Sequence, residues 1–562
     1  MKSTWSSVCV CSVISLCGLP STQSQPTHTV GLLSIQSELS SPGYNLYYPY
    51  NQPHVFLLDA CGEIVHTWPG EPQTQPGNSA RLLSNGNLIK GVRSNASVGD
   101  PIWGGGGGET IEIRSWENEV LWSFTLNNAS YRLHHDFDVL PSGNILMTAW
   151  EAKTTEEAIA AGRDPDALVE NALWPDMILE VDPRTDSIVW EWHAWDHLIQ
   201  DFNPAKPNFG EVGAHPELID LNYIYYGSVR DWMHTNSIDY NPTLDVILLS
   251  VAKFHEIWII DRSTSSEEAA AHHGGTWGSG GDVLFRWGNP QAYRSGDSTD
   301  QKLFFQHDAH WIDELVGESY PYYGSIILFN NRVSTSISTI NIFTPVIDTF
   351  NREFSISNGR YLPLTFDLTI LHPIPEKMYS PAQSGVQILP NQNILVLAGS
   401  NGYAFELTPD AGAVVWEYIN PILNGAPVYQ GTQIQSNMVF RFNRYPLDFP
   451  AFVDKDLTPM GFIELNPDTA FCMLSTSIAP VRGNDQPLIT VTSNPIGVDE
   501  DIHLVLHHDS PLSATLMDLA GRALETFLLL PGENYIRCAQ LIPGIYLLTT
   551  PSLATPIRLI KL

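Results

Sequence analysis

The chain has 562 residues, 61 of them acidic and 28 basic, so its formal net charge is −33 at neutral pH. This excess of acid argues against nucleic acid or an anionic membrane surface as a partner and favours a soluble, strongly solvated exterior. The chain is longer than one ordinary domain, although a closed β-propeller can hold such a length in a single unit.

The first 24 residues are typical of a secretory signal peptide. Lys2 precedes an apolar run from Val8 to Pro20, and small polar residues follow it. A membrane anchor is the alternative, but the run is shorter than the roughly 20 residues that a span needs. Removal of residues 1–24 leaves Cys61, Cys472 and Cys538. Because this number is odd, the sequence predicts neither a disulfide framework nor a zinc site.

A repeat begins near residue 27. Each copy has an inner strand, a turn with Asn-Gly or Gly-Asn, a second strand and an outer hairpin that ends in an aromatic residue. Five inner pairs lie at 79–92, 135–150, 234–251, 307–330 and 384–399. After residue 332 the outer hairpin is degenerate, and residues 338–354 are its best candidate.

A sixth hairpin ends at Trp68 and precedes the other copies. We expect its inner strand, Gly43 to Tyr50, to close a ring beside the last copy. The sequence therefore predicts an all-β fold with a six-bladed β-propeller over residues 25–468. An irregular solenoid is the alternative.

Three copies of the inner strand begin with histidine, namely His135, His234 and His307. If the copies are related by symmetry, these side chains point at one common centre. A single histidine of this kind is usually structural, but three in register favour a functional cluster. An imidazole nitrogen can carry a sulfuryl, phosphoryl or acyl group between two substrates. His134 or His310 would then protonate the leaving group or stabilise its charge.

The motifs HHDFDVLPSGN, HTNSIDYNP and QHDAHWID, followed by tryptophan-ended hairpins, resemble the bacterial aryl-sulfate sulfotransferases over roughly residues 30–450. These enzymes use no nucleotide sulfate donor. The resemblance implies that His307 becomes transiently sulfated, that His234 and His135 bind the sulfate, and that Asn236 assists. It implies no cofactor and no metal.

One position departs from the family pattern. Ala252 stands where the family has an arginine, and Lys253 is expected to face the other side of its strand. Arg332 is the candidate replacement. His272 and His273 lie in a glycine-containing insertion, which we interpret as an exposed loop and not as a metal site.

The end of the chain predicts a second module. A linker over residues 469–486 precedes a small seven-strand β-sandwich over residues 487–562. Its SNP, MDLAGR and LIPGIYLL motifs resemble the C-terminal sorting domain of type IX secretion. The resemblance implies the type IX machinery as a partner and a secreted or cell-surface location. A carbohydrate-binding or immunoglobulin-like domain is the alternative.

Together these patterns favour a secreted enzyme that moves a sulfuryl group from an aryl sulfate donor to a phenolic acceptor. Two alternatives stay open. One is a non-catalytic ligand-binding propeller at the cell surface, and the other is a sulfate-ester hydrolase that uses the same histidines. The oligomeric state is left open.

Overall fold

The computed structural model describes most of the chain from residue 28 onward. The described residues are 28–168, 170–224, 230–313, 315–435, 437–472, 489–491, 501–506, 511–518, 523–537, 541, 544–550 and 557–561. The chain is predominantly β and divides into two compact units, residues 1–476 and 477–562. The expected signal peptide and most of the expected linker lie outside the described residues.

In the first unit, four antiparallel sheets follow one another along the chain, each with its four strands paired in chain order. Alternating apolar residues and tight turns favour such meanders. Sheet 1 contains Thr74–Leu82, Leu88–Ser94, Thr110–Arg114 and Val120–Thr125; sheet 2 contains Tyr131–Val139, Ile145–Glu151, Asp176–Asp182 and Ser187–His193; sheet 3 contains Thr235–Asn241, Val246–Val251, Glu256–Asp261 and Phe285–Trp287; sheet 4 contains His307–Trp311, Ile326–Asn330, Thr339–Phe343 and Leu368–Ile370.

Two further sheets join the two ends of this unit. The strands of sheet 5 are Gly385–Ile388, Ile394–Ala398, Tyr403–Leu407 and Val414–Ile419, with Gly31–Ile35 added at its outer edge. The strands of the closing sheet are Val439–Tyr445, Tyr44–Pro49, Val55–Leu58 and Ile64–Trp68. The strand expected from the GYNLYYPY segment therefore pairs with residues 439–445, a strand that the sequence analysis did not identify.

The core consists of apolar layers between neighbouring sheets. Each of sheets 1 to 4 packs against the next sheet, and the closing sheet packs against both sheet 5 and sheet 1. Trp68 and Trp416, which lie on outer strands of the closing sheet and of sheet 5, are at most 1% exposed in these layers. Full burial of a large apolar side chain contributes roughly 1.5–3 kcal/mol, so these tryptophans contribute strongly to sheet-to-sheet packing.

The outer part of sheet 4 differs from the prediction. Thr339–Phe343 is its third strand, but the fourth is Leu368–Ile370 and not a segment within residues 338–354. Two small hairpins, centred near residues 350 and 358, are inserted between these strands. The insertion displaces the hairpin partner, which is why the repeat looked degenerate.

Cys61 and Cys472 form a disulfide, with Cα atoms 5.6 Å apart. The sequence predicted no disulfide framework, and this single pair was missed, because an odd number of cysteines cannot exclude one pair. Cys61 lies in a turn of the closing sheet, and a β-bridge between Glu63 and Phe462 holds the end of the unit beside that turn. Cysteines 411 residues apart thus become neighbours.

Helices are short and lie in the loops of the first unit. Two α-helices lie wholly within the described residues, and a capping box begins each of them, where Thr154 and Ser265 accept from the third helical residue. The α-helices are Thr155–Ala161 and Ser266–Ala269, and the 3-10 helices are Asn95–Gly99, Pro165–Ala167, Ala194–Asp196, Val212–Ala214, Pro290–Tyr293, Pro375–Met378, Gly399–Asn401 and Pro450–Phe452. Two-residue strand pairs are Lys153–Thr154 with Ala172–Leu173, Leu198–Ile199 with Ile219–Asp220, Ile347–Asp348 with Glu353–Phe354, Ile356–Ser357 with Arg360–Tyr361, and Ile422–Leu423 with Ala426–Pro427.

The second unit contains two antiparallel sheets whose side chains share one core. Its strands are Ile489–Val491, Ile502–Leu506 and Gly532–Ile536 in one sheet, and Ala523–Leu529, Leu512–Asp518, Gly544–Thr549 and Ile557–Lys561 in the other. Within the described parts of the whole chain, no helix is long and apolar enough to cross a membrane.

Candidate active site

The first strand of sheets 2, 3 and 4 carries a β-bulge near its start. In sheets 2 and 3, His135 and His234 have φ of 51° and 58°, in the left-handed region that side chains rarely adopt. In sheet 4 the left-handed residue is Asp308, directly after His307. Bulges re-aim side chains. Exact symmetry had suggested that the three histidines share one register position. They do not, yet their side chains turn towards the same region.

Four buried histidines meet in that region, namely His134, His135, His234 and His307, each at most 8% exposed. The ring centroids of His135 and His234 are 4.4 Å apart. Burial lowers the pKa of His135 well below its ordinary value, and the neighbouring imidazoles and Arg441 act in the same direction. His135 is therefore neutral at neutral pH.

The tautomer of His307 is set by Asn331. The amide nitrogen of Asn331 donates to the carbonyl oxygens of Ser380 and Gln383 at 2.9 and 2.8 Å. Its side-chain oxygen must therefore accept the Nδ1 proton of His307, at 2.8 Å. The lone pair of His307 lies on Nε2, which accepts from the backbone N–H of Gln383 at 3.1 Å. Burial holds the pKa of His307 well below its ordinary value, so this lone pair is available at neutral pH.

His134 contacts His135 through a hydrogen bond between their rings. Their Nδ1 atoms are 2.8 Å apart, so one of them donates to the other. The Nε2 of His134 faces Asp176 Oδ1 at 3.4 Å, while the other oxygen of Asp176 accepts from the backbone N–H of Thr235. The His134 ring stacks on Trp150 with centroids 4.4 Å apart. If Nε2 of His134 carries the ring proton that faces Asp176, its Nδ1 must accept. Nδ1 of His135 is then the donor of the hydrogen bond between the two rings, and the lone pair of His135 lies on Nε2.

His234 is oriented by Asp231. Its Nδ1 lies 2.5 Å from Asp231 Oδ2, and the second carboxylate oxygen accepts from the indole N–H of Trp150 at 3.0 Å. The ammonium of Lys253 lies 3.1 Å from Asp231 Oδ2. Although burial opposes ionisation, His234 and Lys253 together hold the pKa of Asp231 below its usual range. Asp231 is therefore an anion that is shared by a histidine and a lysine.

A run of five glycines, Gly104 to Gly108, lies against the cluster, and the sequence analysis did not assign it a role. The carbonyl oxygen of Gly106 accepts from the backbone N–H of His135 at 2.8 Å. A Cβ on Gly106 would lie 1.9 Å from Nε2 of His135, and one on Gly105 would lie 3.8 Å from Cε1 of His234. The backbone can approach the imidazoles only because these side chains are absent. The uninterrupted glycines were the available signal.

A cavity of about 600 Å³ lies on the other side of the bulges. Its wall includes residues from the first strands of all six sheets. Asp136 and Asp308, which directly follow His135 and His307 in their strands, line it together with Arg441. His310 also lines this cavity, and its Nδ1 donates to the backbone carbonyl of Asp308 at 2.9 Å. His310 is therefore not part of the four-histidine cluster.

Residues 35–420, more than half of the chain, match the model of the arylsulfotransferase (ASST) family. The chain belongs to this family. Membership supports aryl sulfotransferase activity in general. No curated protein matches the sequence.

Among solved structures, a protein of unknown function from Bacteroides caccae is similar over 72% of this chain and 99% of its own, with 10% identity and a TM-score of 0.38. Virginiamycin B lyase from Staphylococcus aureus is similar over 70% of this chain and 89% of its own, with 12% identity and a TM-score of 0.30. Similarity this low carries no functional argument.

The position of Lys253 differs from the expectation. We expected Lys253 to face away from the site, but its ammonium contacts Asp231 beside His234. Strand alternation no longer applies there, because the strand ends at Val251 and residues 252–255 form a turn. Ala252, where the family pattern has arginine, is completely buried. The ammonium of Lys253 therefore brings a positive charge to this part of the site, one residue after the position where the family has arginine.

Arg441 is a second cation that the sequence analysis missed. It lies on the first strand of the closing sheet, and its Nε is 2.7 Å from Asp308 Oδ1. It also donates to the backbone carbonyls of Ser384 and Asn236. The alternating pattern VFRFNRY was the available signal, but no histidine marked it as an inner strand.

Two other predicted residues have supporting positions. The side-chain amide of Asn236 donates to the carbonyl oxygen of Gln306, directly before His307, at 2.7 Å. The guanidinium of Arg332 lies 3.9 Å from the ring centre of Phe305, and that ring lies 5.5 Å from His234 and 5.6 Å from His307. An aromatic ring therefore stands between Arg332 and the cluster.

Proposed function

We propose that this protein is a secreted aryl-sulfate sulfotransferase in which Nε2 of His307 accepts the sulfuryl group. The observation that carries the proposal is the hydrogen bond from His307 to Asn331. It places the proton on Nδ1, while burial keeps the ring neutral. A buried, neutral imidazole with a defined lone pair is the form that attacks an electrophile.

The reaction has two displacements at sulfur. In the first, Nε2 of His307 attacks the sulfur of the aryl sulfate, the N–S bond forms, and the bond from sulfur to the aryl oxygen breaks. The phenolate leaves with the bonding pair and takes a proton from the site. In the second, the oxygen of a phenol attacks the same sulfur and loses its proton, while the N–S bond breaks. His307 is regenerated, and no cofactor is consumed.

The neighbouring side chains supply the electrostatics. The rings of His234 and His135 contact each other, and Phe305 lies between His234 and His307; we assign His234 and His135 to the sulfate oxygens and to proton transfer. Lys253 provides positive charge in place of the missing arginine, and the charge of Arg441, which acts on His135 and His307 from the cavity side, adds to it. The backbone N–H of Gln383, now bonded to Nε2 of His307, becomes a donor to the sulfuryl group once the nitrogen is occupied.

Aromatic residues beside the histidines favour an aryl substrate. Phe305 is half-buried between His234 and His307, and Phe440 lies 6.1 Å from the His135 ring. A phenyl group packed on such rings gains both apolar burial and ring-to-ring contact. We assign these two residues to the aryl part of the donor and of the phenolic acceptor.

The proposal extends to fold and location. We interpret the ring of six sheets as a six-bladed β-propeller and the second unit as a β-sandwich. Residues 1–24 act as a signal peptide, and the C-terminal module is a type IX sorting domain that delivers the enzyme to the outside. Deletion of residues 477–562 in the native host should leave the protein inside the envelope. Continued surface delivery would contradict the sorting assignment.

The test of activity uses a chromogenic aryl sulfate with and without added phenol. Release of the chromophore that depends on phenol, with formation of the phenol's sulfate ester, supports transfer. Equal release without phenol would identify a hydrolase instead. No release with any of several donors, despite saturable binding of them, would identify a binding protein.

A further inference from the structure

A second cluster of histidines lies away from the candidate active site. His197 follows the outermost strand of sheet 2, while His272 and Asp282 lie in the insertion between the third and fourth strands of sheet 3. One ligand atom from each of the three lies within 4.8 Å of the other two. We propose that these three side chains bind a zinc ion that joins the outer parts of the two sheets.

The geometry converges on one carboxylate oxygen. Nδ1 of His197 lies 2.8 Å from Asp282 Oδ1, and Nδ1 of His272 lies 2.7 Å from the same atom. His197 is completely buried and Asp282 is 5% exposed, whereas the His272 side chain is 59% exposed. Two ligands are therefore fixed by the fold, and the third is free to adjust from the solvent side.

The hydrogen bonds of His197 point to a cation. Its Nε2 lies 2.8 Å from the carbonyl oxygen of Ala269, an acceptor only, so Nε2 carries the ring proton. Nδ1 therefore needs a cation, either a proton or a metal ion, between it and the carboxylate oxygen of Asp282. The second imidazole on the same oxygen, that of His272, makes a metal ion the better fit. A ring N–H bonded to a backbone carbonyl is also the usual outer support of a metal-bound histidine.

The surroundings hold His197 in this orientation. Its ring is parallel to that of Trp192, with centroids 5.7 Å apart, and Trp192 donates its indole N–H to the carbonyl oxygen of Gly281. A Cβ on Gly281 would lie 2.6 Å from Nε2 of His197. Glycine at this position therefore permits the close packing on which the site depends.

Two imidazoles and one carboxylate form a donor set that suits zinc. Ligand atoms about 2.0–2.1 Å from a tetrahedral zinc lie roughly 3.3 Å apart. The contacts to Asp282 would thus lengthen by about half an ångström on binding, which requires small movements of the exposed His272 and of the Asp282 carboxylate. Water would occupy the fourth position, at the solvent side.

This inference revises the interpretation of the glycine-containing loop. From the sequence, we expected both His272 and His273 to be exposed loop residues without a metal role. The structure distinguishes them, because His272 contacts Asp282, while His273 acts electrostatically on Glu268. His273 is therefore the matched control, an exposed histidine in the same loop.

The experiment uses the full-length mature protein, stripped with a chelator and titrated with zinc chloride by calorimetry. Metal content after dialysis is measured by mass spectrometry. We expect one zinc per chain in the wild type and in His273→Ala, and at least a tenfold loss of affinity in His272→Ala and Asp282→Asn. Because His272 is exposed, its substitution leaves the core intact.

The melting temperature provides a second readout. Zinc should raise it in the wild type and in His273→Ala but not in His272→Ala, because a ligand that binds only the folded state stabilises it. Calcium chloride, which prefers oxygen ligands, should have no effect. Absence of bound zinc in the wild type, or equal stoichiometry and affinity in His272→Ala, would overturn the proposal.

Discussion

The side-chain oxygen of Asn331 accepts the Nδ1 proton of His307, and the amide of Asn331 has no freedom to turn round, because both of its N–H groups are donated to backbone carbonyls. This relationship decides which nitrogen of His307 is nucleophilic. It resembles in logic the carboxylate that orients the base in hydrolytic triads, but here the partner is neutral.

Asn331→Ala should therefore reduce kcat strongly, by roughly 10²- to 10⁴-fold, as when the tautomer of a triad histidine is lost. The melting temperature also falls, because buried backbone carbonyls lose their donors. Asn341→Ala is the control, since Asn341 is a buried asparagine of the same sheet that bonds Thr339 and Thr369 instead. An equal loss of kcat in both variants would mean that only stability was affected.

Gly106→Ala tests the glycine run. The new Cβ would lie 1.9 Å from Nε2 of His135, and the position has φ of 81°, which alanine adopts at a cost of about 1 kcal/mol. The ring of His135 must shift, and we expect kcat/KM to fall by about 10²-fold, since small displacements of reacting groups have such effects. Gly99→Ala is the control because no atom lies within 4 Å of its Cβ. Unchanged activity in Gly106→Ala would show that the run does not shape the site.

Lys253→Met tests the replacement of the family's arginine. The change removes the ammonium from Asp231, which keeps its contacts with His234 and Trp150. We expect kcat/KM to fall by about 10- to 100-fold, in line with the loss of one charge-stabilising contact. Lys253→Arg should retain most activity. An arginine at Ala252 is the less informative substitution, because that side chain is completely buried and offers no room. Full activity in Lys253→Met would remove this lysine from the site.

Stability should decrease as the pH falls from 6.5 to 5.5. Burial lowers the pKa of His255 to about 3, and it lowers those of His135 and His307 well below 6.5. In this window the three histidines take up protons in the unfolded chain but stay neutral in the folded protein. The free energy of unfolding that they contribute above pH 6.5 is therefore lost progressively as the pH falls. Each of the three contributes about 1 kcal/mol to this loss.

His255→Asn isolates one of these contributions. The asparagine oxygen can replace Nδ1 of His255 as acceptor of the Phe305 N–H. Between the two pH values, the free energy of unfolding measured with denaturant should fall by about 1 kcal/mol less in His255→Asn than in the wild type, whereas His273→Asn, in an exposed loop, should show the full fall. An equal fall in the wild type and in His255→Asn would mean that His255 is not a buried neutral base.

The strands and the histidine cluster could be predicted because their signals are local. Alternation and turn residues mark each inner strand, and His135, His234 and His307 begin three of them. Arg441 and the Cys61–Cys472 pair could not be predicted. They depend on the pairing of chain segments about 400 positions apart, which no local pattern indicates. Lys253 was misjudged because strand alternation was extended by two residues into a turn.

The most direct test of the account is the site of the covalent sulfuryl group. The wild type is exposed briefly to an aryl sulfate without acceptor, quenched at high pH and digested, and the peptides are analysed by mass spectrometry. We predict a sulfuryl adduct on the peptide that contains QHDAHWID, located on His307, with no adduct and no turnover in His307→Asn. An adduct on another residue, or full turnover in His307→Asn, would contradict the account.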